Sequence, residues 1–281
     1  MVTYRQLIKA AETKLEKIEA SYLARLFMLE LTREANLDLY LIEDDVVLDE
    51  IKATFDSGLK RLLKEEPLAY VLGYSWFYGR KFLIDKRVLI PRKETEQLIG
   101  EALIEIEDYF QNNQNLVVAD IGTGSGAIGI TLALEEPNFQ VFASDISETA
   151  LEVALDNATS NQAAITFFQG DLLKPLIEKQ LKVDVIVCNP PYIDHSETIE
   201  SSVYDYEPHL ALFGKESNYY FYQELLKDAH LVLNNPALII FEMGYQMREG
   251  LEKLTEKYFP KARYKTILDY QGLDRFFVIT L

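Results

Sequence analysis

The chain has 281 residues, 48% of them hydrophobic and 26% charged, which is the balance of an ordinary soluble globular protein. Acidic residues outnumber basic ones by 45 to 28, and the formal charge of −17 argues against a sequence-independent grip on nucleic acid. A single cysteine, Cys188, excludes an internal disulfide framework and a cysteine zinc cluster. We expect no metal site, no membrane segment and no signal peptide, and therefore a cytoplasmic location.

The first part of the chain is predicted to be helical. Thr3 and Gln6 resemble a capping box at the start of a first helix, and apolar residues recur at helical spacing up to Ala35. We expect a small all-helical domain over residues 1–73. The stretch that follows, Y-S-W-F-Y-G-R-K-F-L-I-D-K-R-V-L-I, predicts a β-hairpin linker over residues 74–90, with Gly79 and 85–87 as turn candidates.

From residue 91 onward, apolar strand candidates alternate with helical stretches. This alternation predicts an α/β domain over residues 91–281, built on a mostly parallel sheet that helices cover on both faces. The segment D-Y-Q-G-L-D joins the final two strands and predicts an antiparallel strand at the C-terminal end of the sheet. The seven strand candidates are Leu116–Ile121, Gln140–Ser144, Ile165–Phe168, Val183–Cys188, Ala237–Phe241, Tyr264–Leu268 and Arg275–Thr280.

The first strand of this domain runs into a glycine-rich turn, D-I-G-T-G-S-G-A-I-G. Glycines let a ligand approach the backbone closely, and the N-terminus of the following helix favours negative charge. Gly124, Gly126 and Gly129 also satisfy G-x-G-x-x-G, so this segment alone is equally compatible with a dinucleotide-binding fold or with a purely structural turn.

Acidic residues follow the next two strands. Asp145, in F-A-S-D-I-S, lies where a carboxylate would accept hydrogen bonds from the two ribose hydroxyls of an adenosine-containing cofactor. Its alternative role, as N-cap of the following helix, suits Ser147 better. Asp171 and the backbone of Leu172, in F-Q-G-D-L-L, would then lie beside the adenine, although Asp171 is also compatible with an exposed loop acid.

The fourth strand, V-D-V-I-V-C, ends abruptly in N-P-P-Y at residues 189–192. Two prolines remove two backbone donors and fix two φ angles, and the residue before a proline is pushed toward an extended conformation. The carboxyl ends of parallel strands line one crevice, so the glycine loop, the two acids and N-P-P-Y should converge on one site. A dinucleotide dehydrogenase has no need for N-P-P-Y in this place.

The motifs D-I-G-T-G-S-G, S-D-I-S and N-P-P-Y, in this order, resemble those of S-adenosylmethionine-dependent amino-methyltransferases, which methylate a planar nitrogen such as adenine N6 or a glutamine amide. From residue 66 to the end, the chain closely resembles the HemK-type peptide chain release factor glutamine methyltransferases, and its helical N-terminal domain fits in size. The resemblance implies a Rossmann-like class I methyltransferase domain. The stretches that carry it are E-P-L-A-Y-V-L-G (66–73), F-Y-G (77–79), V-L-I-P-R-K-E-T-E (88–96), Y-E-P-H-L-A-L-F-G (206–214), F-E-M-G (241–244) and L-D-Y-Q-G-L-D-R (268–275).

The resemblance also implies an activity and its residues. The cofactor would be S-adenosyl-L-methionine, with S-adenosyl-L-homocysteine as product, and the acceptor would be the glutamine of the Gly-Gly-Gln loop in bacterial class 1 peptide chain release factors 1 and 2. The predicted catalytic residues are Asn189, Pro190 and Tyr192, which together with Pro191 would bind the substrate. The predicted cofactor-binding residues are Gly122, Thr123, Gly124, Ser125, Gly126, Asp145, Asp171, Leu172 and Asn189. The N-terminal domain would help to dock the release factor.

The proposed chemistry explains the residue types. The lone pair of an amide nitrogen is delocalised, so the nitrogen is a poor nucleophile. The Asn189 side-chain oxygen and the Pro190 carbonyl could each accept one N–H of a primary amide, which aims the nitrogen and favours positive charge there. Tyr192 could stack on the flat amide.

Three other functions remain open from the sequence: methylation of a ribosomal-protein glutamine, methylation of DNA adenine N6, and cofactor binding without turnover. DNA methylation would need a target-recognition domain and a basic face, which this chain does not plainly offer. A mere binder would have no need of N-P-P-Y. Two loops depart from the family pattern: F-G-K-E-S-N-Y-Y-F-Y after Leu212, and L-N-N-P-A before the fifth strand.

Overall fold

The computed structural model describes residues 2–111 and 115–281, which form two compact units. The helical unit comprises the chain up to Tyr74 together with Ile199–Tyr206, and the sheet unit comprises Ser75–Thr198 and Glu207–Leu281. The helices are α1 (Tyr4–Leu15), α2 (Tyr22–Glu34), α3 (Leu39–Ile42), α4 (Asp49–Leu62), α5 (Leu68–Leu72), α6 (Lys93–Phe110), α7 (Ala127–Glu135), α8 (Glu148–Asn161), α9 (Lys174–Glu178), α10 (Ser201–Tyr206), α11 (His209–Leu212), α12 (Tyr220–Ala229) and α13 (Arg248–Tyr258). The strands are β1 (Tyr74–Phe77), β2 (Arg80–Leu83), β3 (Val117–Ile121), β4 (Gln140–Asp145), β5 (Ile165–Gln169), β6 (Val183–Cys188), β7 (Leu233–Glu242), β8 (Arg263–Leu268) and β9 (Asp274–Thr280).

The helical unit has a core of its own. Helix α1 begins with the predicted capping box: the Gln6 amide N–H donates to Thr3 Oγ1, and the Thr3 amide N–H donates to Gln6 Oε1. Its apolar face packs into a cluster in which Phe27 and Phe55 stack with their ring centroids 5.3 Å apart. Helix α10 joins this unit from far along the chain, since Tyr206 donates its hydroxyl to the Lys64 carbonyl. None of the described helices is both long enough and apolar enough to span a bilayer.

Strands β1 and β2 form the predicted hairpin. The two residues between them, Tyr78 and Gly79, have φ values of 50° and 74°, which is the pattern of a type I′ turn. Gly79 is therefore the hairpin turn, as predicted. The second turn candidate lies beyond β2, where Asp85 accepts the Arg87 amide N–H.

Within the described residues, the main sheet has seven strands in the order β5-β4-β3-β6-β7-β9-β8. Strands β3 to β7 are parallel, and β9 is antiparallel to both of its neighbours. The prediction of a mostly parallel sheet with an antiparallel last strand is confirmed.

The position of the last strand differs from the simplest expectation, because β9 lies inside the sheet and β8 forms the edge. Burial explains the order. Residues 276–279 of β9 are all buried, as a central strand requires, whereas β8 alternates and exposes Arg263 and Lys265. Basic side chains are well suited to an edge strand, where they discourage pairing with another chain.

Candidate active site

The carboxyl ends of four adjacent parallel strands, β5, β4, β3 and β6, lie at one edge of the sheet. The register places Ile121 beside both Ser144 and Cys188, and Asp145 beside Gln169. The loops that follow these strands border one cavity of the sheet unit. The predicted site residues that line this cavity are Gly122, Thr123, Gly124, Ser125, Asp145, Asp171, Leu172, Asn189, Pro190 and Pro191. Of the predicted residues, Gly126 and Tyr192 do not line it.

The glycine loop turns through left-handed backbone conformations, with φ values of 75° at Gly122, 56° at Gly124 and 84° at Gly126. A Cβ added at Gly122 or Gly124 would meet no protein atom within 4 Å, so both positions face open space. A Cβ at Gly126 would instead lie 2.7 Å from Ile130 Cδ1. Gly126 therefore serves the packing of helix α7, while the first two glycines leave room at the cavity.

A buried carboxylate, Asp120, fastens the glycine loop to helix α7. Its Oδ2 accepts from Thr123 Oγ1 at 2.5 Å and from the Gly129 amide N–H at 2.9 Å. Burial raises its pKa to about 6, against the lowering effect of the Thr123 and Gly129 hydrogen bonds. These two hydrogen bonds link the glycine loop to the first turn of α7.

Asp145, at the end of the neighbouring strand β4, is hydrogen-bonded to the glycine loop. Its Oδ2 accepts the Gly124 amide N–H at 2.9 Å, and its Oδ1 accepts the Ser147 amide N–H at 2.9 Å. Ser147 is the N-cap of α8, as the sequence suggested. Burial raises the pKa of Asp145, while the backbone hydrogen bonds oppose the rise. A carboxylate offers about four acceptor positions, so capacity remains for hydroxyl donors in the cavity.

The loop after β5 brings Asp171 and Leu172 to the cavity. The Asp171 carboxylate forms an ion pair with Lys174 Nζ at 2.8 Å. Leu172 has a left-handed φ of 51°, and its carbonyl accepts the Ser144 hydroxyl at 3.1 Å. The Leu172 backbone is thus hydrogen-bonded to β4, and the residue lines the cavity.

The end of β6 presents the Asn189 side chain in a defined orientation. Its Nδ2 donates to Thr95 Oγ1 at 3.2 Å, and Thr95 Oγ1 donates to Glu242 Oε2 at 2.8 Å. Within the part of the chain that the structure describes, neither Asn189 Oδ1 nor the Pro190 carbonyl accepts a hydrogen bond. Asn189 and Pro190 are adjacent in the chain and both line the cavity, so they offer two unengaged hydrogen-bond acceptors there.

Tyr192 is turned toward strand β7. Its hydroxyl donates to Glu242 Oε1 at 3.4 Å, and its ring lies against Gly244, where an added Cβ would come within 3.1 Å of Tyr192 Cδ2. Burial is the main cause of its raised pKa, followed by the negative charge of Glu242. Tyr192 is therefore a neutral phenol at physiological pH.

Arg92 also lines the cavity, at the N-cap of α6. Its guanidinium pairs with Glu207 Oε1 at 2.5 Å, and Glu207 Oε2 accepts the Ile90 amide N–H at 3.1 Å. Glu207 is buried, so this pair fixes the chain that enters α6. Cys188, beside Asn189, is buried and burial raises the pKa of its thiol, which suits a structural residue and not a nucleophile.

Sequence reasoning missed Asp120, Thr95 and Glu242. Glu242 carried a usable signal: it ends the apolar run A-L-I-I-F, as Asp145 ends its own strand, and an acid at the carboxyl end of a buried parallel strand faces the site edge. Thr95 carries no comparable signal, because it lies in a polar stretch of a helix remote from β6 in the sequence.

Comparison with known proteins agrees with this picture. Residues 102–205 match the family described as Methyltransferase small domain, and residues 6–73 match the PrmC N-terminal domain. The release factor glutamine methyltransferase of Staphylococcus aureus is 35% identical over 98% of this chain and 98% of its own length. The enzymes of that name from Bacillus cereus and Bacillus subtilis are 40% and 41% identical, over 82% and 74% of this chain and 81% and 73% of their own.

Solved structures show a similar fold at low identity. A methyltransferase from Pyrococcus furiosus, 18% identical, superposes with a TM-score of 0.51 over 80% of this chain and 98% of its own. The hMettl16 catalytic domain, 16% identical, gives 0.54 over 80% of this chain and 81% of its own.

The sheet order and the cleft at the strand ends define a class I methyltransferase, as predicted, and the enzyme depends on S-adenosyl-L-methionine. Similarity to the curated relatives extends over most of the chain. The chain belongs to the release factor glutamine methyltransferase family.

Proposed function

We propose that this enzyme methylates the side-chain amide nitrogen of the glutamine in the Gly-Gly-Gln loop of class 1 peptide chain release factors 1 and 2. The observation that carries the proposal is the pair of unengaged acceptors, Asn189 Oδ1 and the Pro190 carbonyl, at the cavity. A primary amide has two N–H donors on one nitrogen and matches this pair. The names of the relatives support the choice of release factors.

The residues at the strand ends fit the methyl donor. Open space at Gly122 and Gly124 admits a ligand against the backbone, and the Asp145 carboxylate has acceptor capacity for two ribose hydroxyls. When bound, S-adenosyl-L-methionine supplies an electrophilic methyl group on a positively charged sulfur. We assign this binding to residues 122–126, Asp145, Asp171 and Leu172, with Gly126 acting through the packing of α7.

The acceptor pair would act by positioning and electrostatics. Two oxygens that hold both N–H groups of the substrate amide fix the direction of its nitrogen. They also favour the positive charge that develops there, so the transition state gains more than the ground state. The nitrogen exchanges one proton for the methyl group, and the proton leaves to water after transfer, which requires no general base beforehand.

We also infer that the helical unit docks the release factor. Helix α3 exposes two adjacent large apolar side chains, Tyr40 at 70% and Leu41 at 82%, which could contact a protein partner. A full-length factor should then have a lower KM than a short peptide that carries only the loop.

The test is methyl transfer from radiolabelled S-adenosyl-L-methionine. We expect the purified enzyme to label a release factor, and not duplex DNA or ribosomal protein. A factor whose loop glutamine is replaced by alanine should take up no label. Labelling of DNA, or equal labelling of the alanine factor, would show that the substrate assignment is wrong.

A second arm of the same assay tests the acceptor pair. Asn189→Ala removes one acceptor and should lower the rate on the order of a hundredfold. The matched control is Asn234→Ala, because Asn234 is exposed, donates only to Asp184 at 2.8 Å and does not line the cavity. The control should keep the parent rate. An unchanged rate for Asn189→Ala would contradict the acceptor role.

A further inference from the structure

Glu242 lies at the end of β7, behind the cavity and not in its lining. Its side chain is 1% exposed, yet it is hydrogen-bonded on both oxygens: Oε2 accepts from Thr95 Oγ1 at 2.8 Å and Oε1 from the Tyr192 hydroxyl at 3.4 Å. Its backbone carbonyl accepts the Tyr222 hydroxyl at 2.8 Å. A buried carboxyl is costly unless it is paired, so this placement calls for an explanation.

The hydrogen-bond chain from Glu242 to Asn189 has a direction. A threonine hydroxyl has one hydrogen and two lone pairs. Since the Thr95 hydrogen points to an ionised Glu242, only its lone pairs face Asn189, and they accept from Nδ2 at 3.2 Å. The asparagine amide is thereby turned so that Oδ1, the acceptor, is left for the substrate.

Protonation of Glu242 would allow the opposite direction. A neutral carboxyl can donate to Thr95, whose own hydrogen is then free to donate to Asn189 Oδ1. The amide would turn over and present its NH2 group to the cavity. A donor in that place cannot accept a substrate N–H, and the two donors would repel each other.

We propose that Glu242, acting through Thr95, is a positioning residue that sets the acceptor orientation of the Asn189 side chain. The inference rests on the proposed function, because it assumes that Asn189 accepts an N–H of the substrate. Glu242 itself does not line the cavity and need not touch the substrate or the cofactor, whereas Thr95 does line it. The oxygen end and the nitrogen end of the Asn189 amide have nearly the same shape. The hydrogen-bond relay from Glu242 through Thr95 to Asn189 determines that the oxygen end is presented to the cavity.

The surroundings of Glu242 make its ionisation sensitive to pH. Burial, together with the negative charge of Glu94 on α6, raises its pKa to about 7. The Thr95 hydrogen bond, the positive charge of Arg275 on β9 and the Tyr192 hydroxyl act against this rise. The Tyr222 hydroxyl, on α12, bonds only the backbone carbonyl. The carboxyl is thus half-protonated near neutral pH, and the orientation of Asn189 should change there.

The experiment compares kcat at saturating substrates between pH 5.5 and 9 for the parent enzyme, Glu242→Gln, Thr95→Ser and Thr95→Val. The parent should lose rate as the pH falls through about 7. Glu242→Gln should have a lower kcat without this acid limb, because a glutamine supports either direction at any pH. Thr95→Ser should keep the parent profile, while Thr95→Val should lose about tenfold or more in kcat with little change in KM.

A readout independent of turnover follows the amide itself. In protein labelled with ¹⁵N-asparagine, the side-chain NH2 signal of Asn189 is identified by its loss in Asn189→Ala. We expect this signal to shift with a midpoint near pH 7 in the parent protein and to stay constant in Glu242→Gln.

The two proposals fail differently. If the parent enzyme labels no release factor, the proposed function is wrong, whatever the NMR signal does. If the factor is labelled but Glu242→Gln keeps the acid limb, or Thr95→Val matches Thr95→Ser in kcat, the relay is overturned. An Asn189 signal that titrates equally in Glu242→Gln would also overturn it.

Discussion

Two glycines of one loop, two residues apart, have different physical reasons to be glycine. Gly124 has a φ of 56° and faces the open cavity, whereas Gly126 has a φ of 84° and lies under Ile130. Both positions disfavour a side chain because of the left-handed backbone. Only Gly126 is also blocked by a neighbouring atom, at 2.7 Å from the added Cβ. Ligand binding and folding are therefore separable within the loop.

Alanine substitution at the two positions should give opposite profiles. Gly124→Ala should cost about 1 kcal/mol of unfolding free energy from backbone strain, but lower the affinity for S-adenosyl-L-homocysteine about tenfold or more, since the methyl group enters the cavity. Gly126→Ala should cost about 2–4 kcal/mol, because strain and overpacking add. Calorimetric titration and denaturant unfolding measure both effects. Equal loss of affinity with equal loss of stability in both variants would contradict this division.

The sequence predicts the residues that come straight after strands and misses those that support them. Asp145 and Asn189 each end an apolar run, so the register of a parallel sheet was enough to bring them together. Asp120, Thr95 and Glu242 act on other side chains through hydrogen bonds that span up to 147 residues, as between Thr95 and Glu242. Thr95 resembles an ordinary polar residue of a helix, and the position of Glu242 at the end of a buried strand does not reveal its partner, so periodicity could not predict the pair.

At the scale of elements, one buried side chain joins the hairpin, α8 and the glycine loop. Asn157 of α8 is fully buried; its Oδ1 accepts the Leu83 amide N–H at 2.6 Å, and its Nδ2 donates to the carbonyls of Leu83 and Ser125 at 3.0 and 2.9 Å. The Asn157 side chain thus gives Leu83 of β2 the two backbone hydrogen bonds that a neighbouring strand would otherwise provide. The glycine loop is fixed by the same amide.

Replacing Asn157 with leucine, which has a similar volume, should leave three backbone groups without partners. We expect a loss of about 3 kcal/mol or more of unfolding free energy, measured by denaturant titration. The control is Asn161→Leu, one turn later on α8, where only two bonds, to the carbonyls of Lys81 and Asn157, are removed at a half-buried position. A loss at Asn157 no greater than at Asn161 would show that the three-way tie is not needed.

The elements themselves were largely predictable, and their order only in part. All seven strands of the main sheet were found in the sequence to within a few residues, because buried parallel strands form continuous apolar runs. The insertion of β9 between β7 and β8 was not predicted. The apolar segment F-F-V-I of β9 suits a central strand, and the alternating segment R-Y-K-T of β8 suits an edge strand. A hairpin can, however, place either of its two strands next to the rest of the sheet.

For the whole molecule, buried carboxyls with raised pKa values, above all Asp120 and Glu242, set the pH dependence of stability between about pH 4 and 7. Burial raises the pKa of Asp120 to about 6 and that of Glu242 to about 7, so the native state holds these protons more tightly than the unfolded chain. For a raised carboxyl pKa, stability is present below the unfolded value and is lost as the pH rises through the folded value. The ionisation of each group should lower the unfolding free energy by about 3 kcal/mol as the pH rises from its unfolded to its folded pKa.

Other carboxyls act in the opposite direction at lower pH. The Arg87 hydrogen bond lowers the pKa of Asp85, and the Arg5 hydrogen bond lowers that of Asp44. Their stabilising effect is present above the unfolded pKa and is lost only as the pH falls below it. The Asp44 side chain is 80% exposed and that of Asp85 is 49% exposed, so solvent screens both ion pairs and their share is small. Between about pH 4 and 7 the carboxyls whose pKa values burial raises, Asp120, Asp145 and Glu242, therefore make the stability fall as the pH rises.

Stability and activity should consequently change in opposite directions over that interval. As the pH rises from about 4 to 7, the unfolding free energy should fall while kcat rises, because the ionised form of Glu242, whose burial destabilises the fold, is the form that orients Asn189. Denaturant unfolding at several pH values measures the slope. Glu242→Gln should remove about half of it, whereas Glu216→Gln, an equal change of charge at an exposed position, should leave it unchanged. The same slope in both variants would mean that overall charge repulsion, and not a buried carboxyl at the site, governs the stability of this acidic chain near neutral pH.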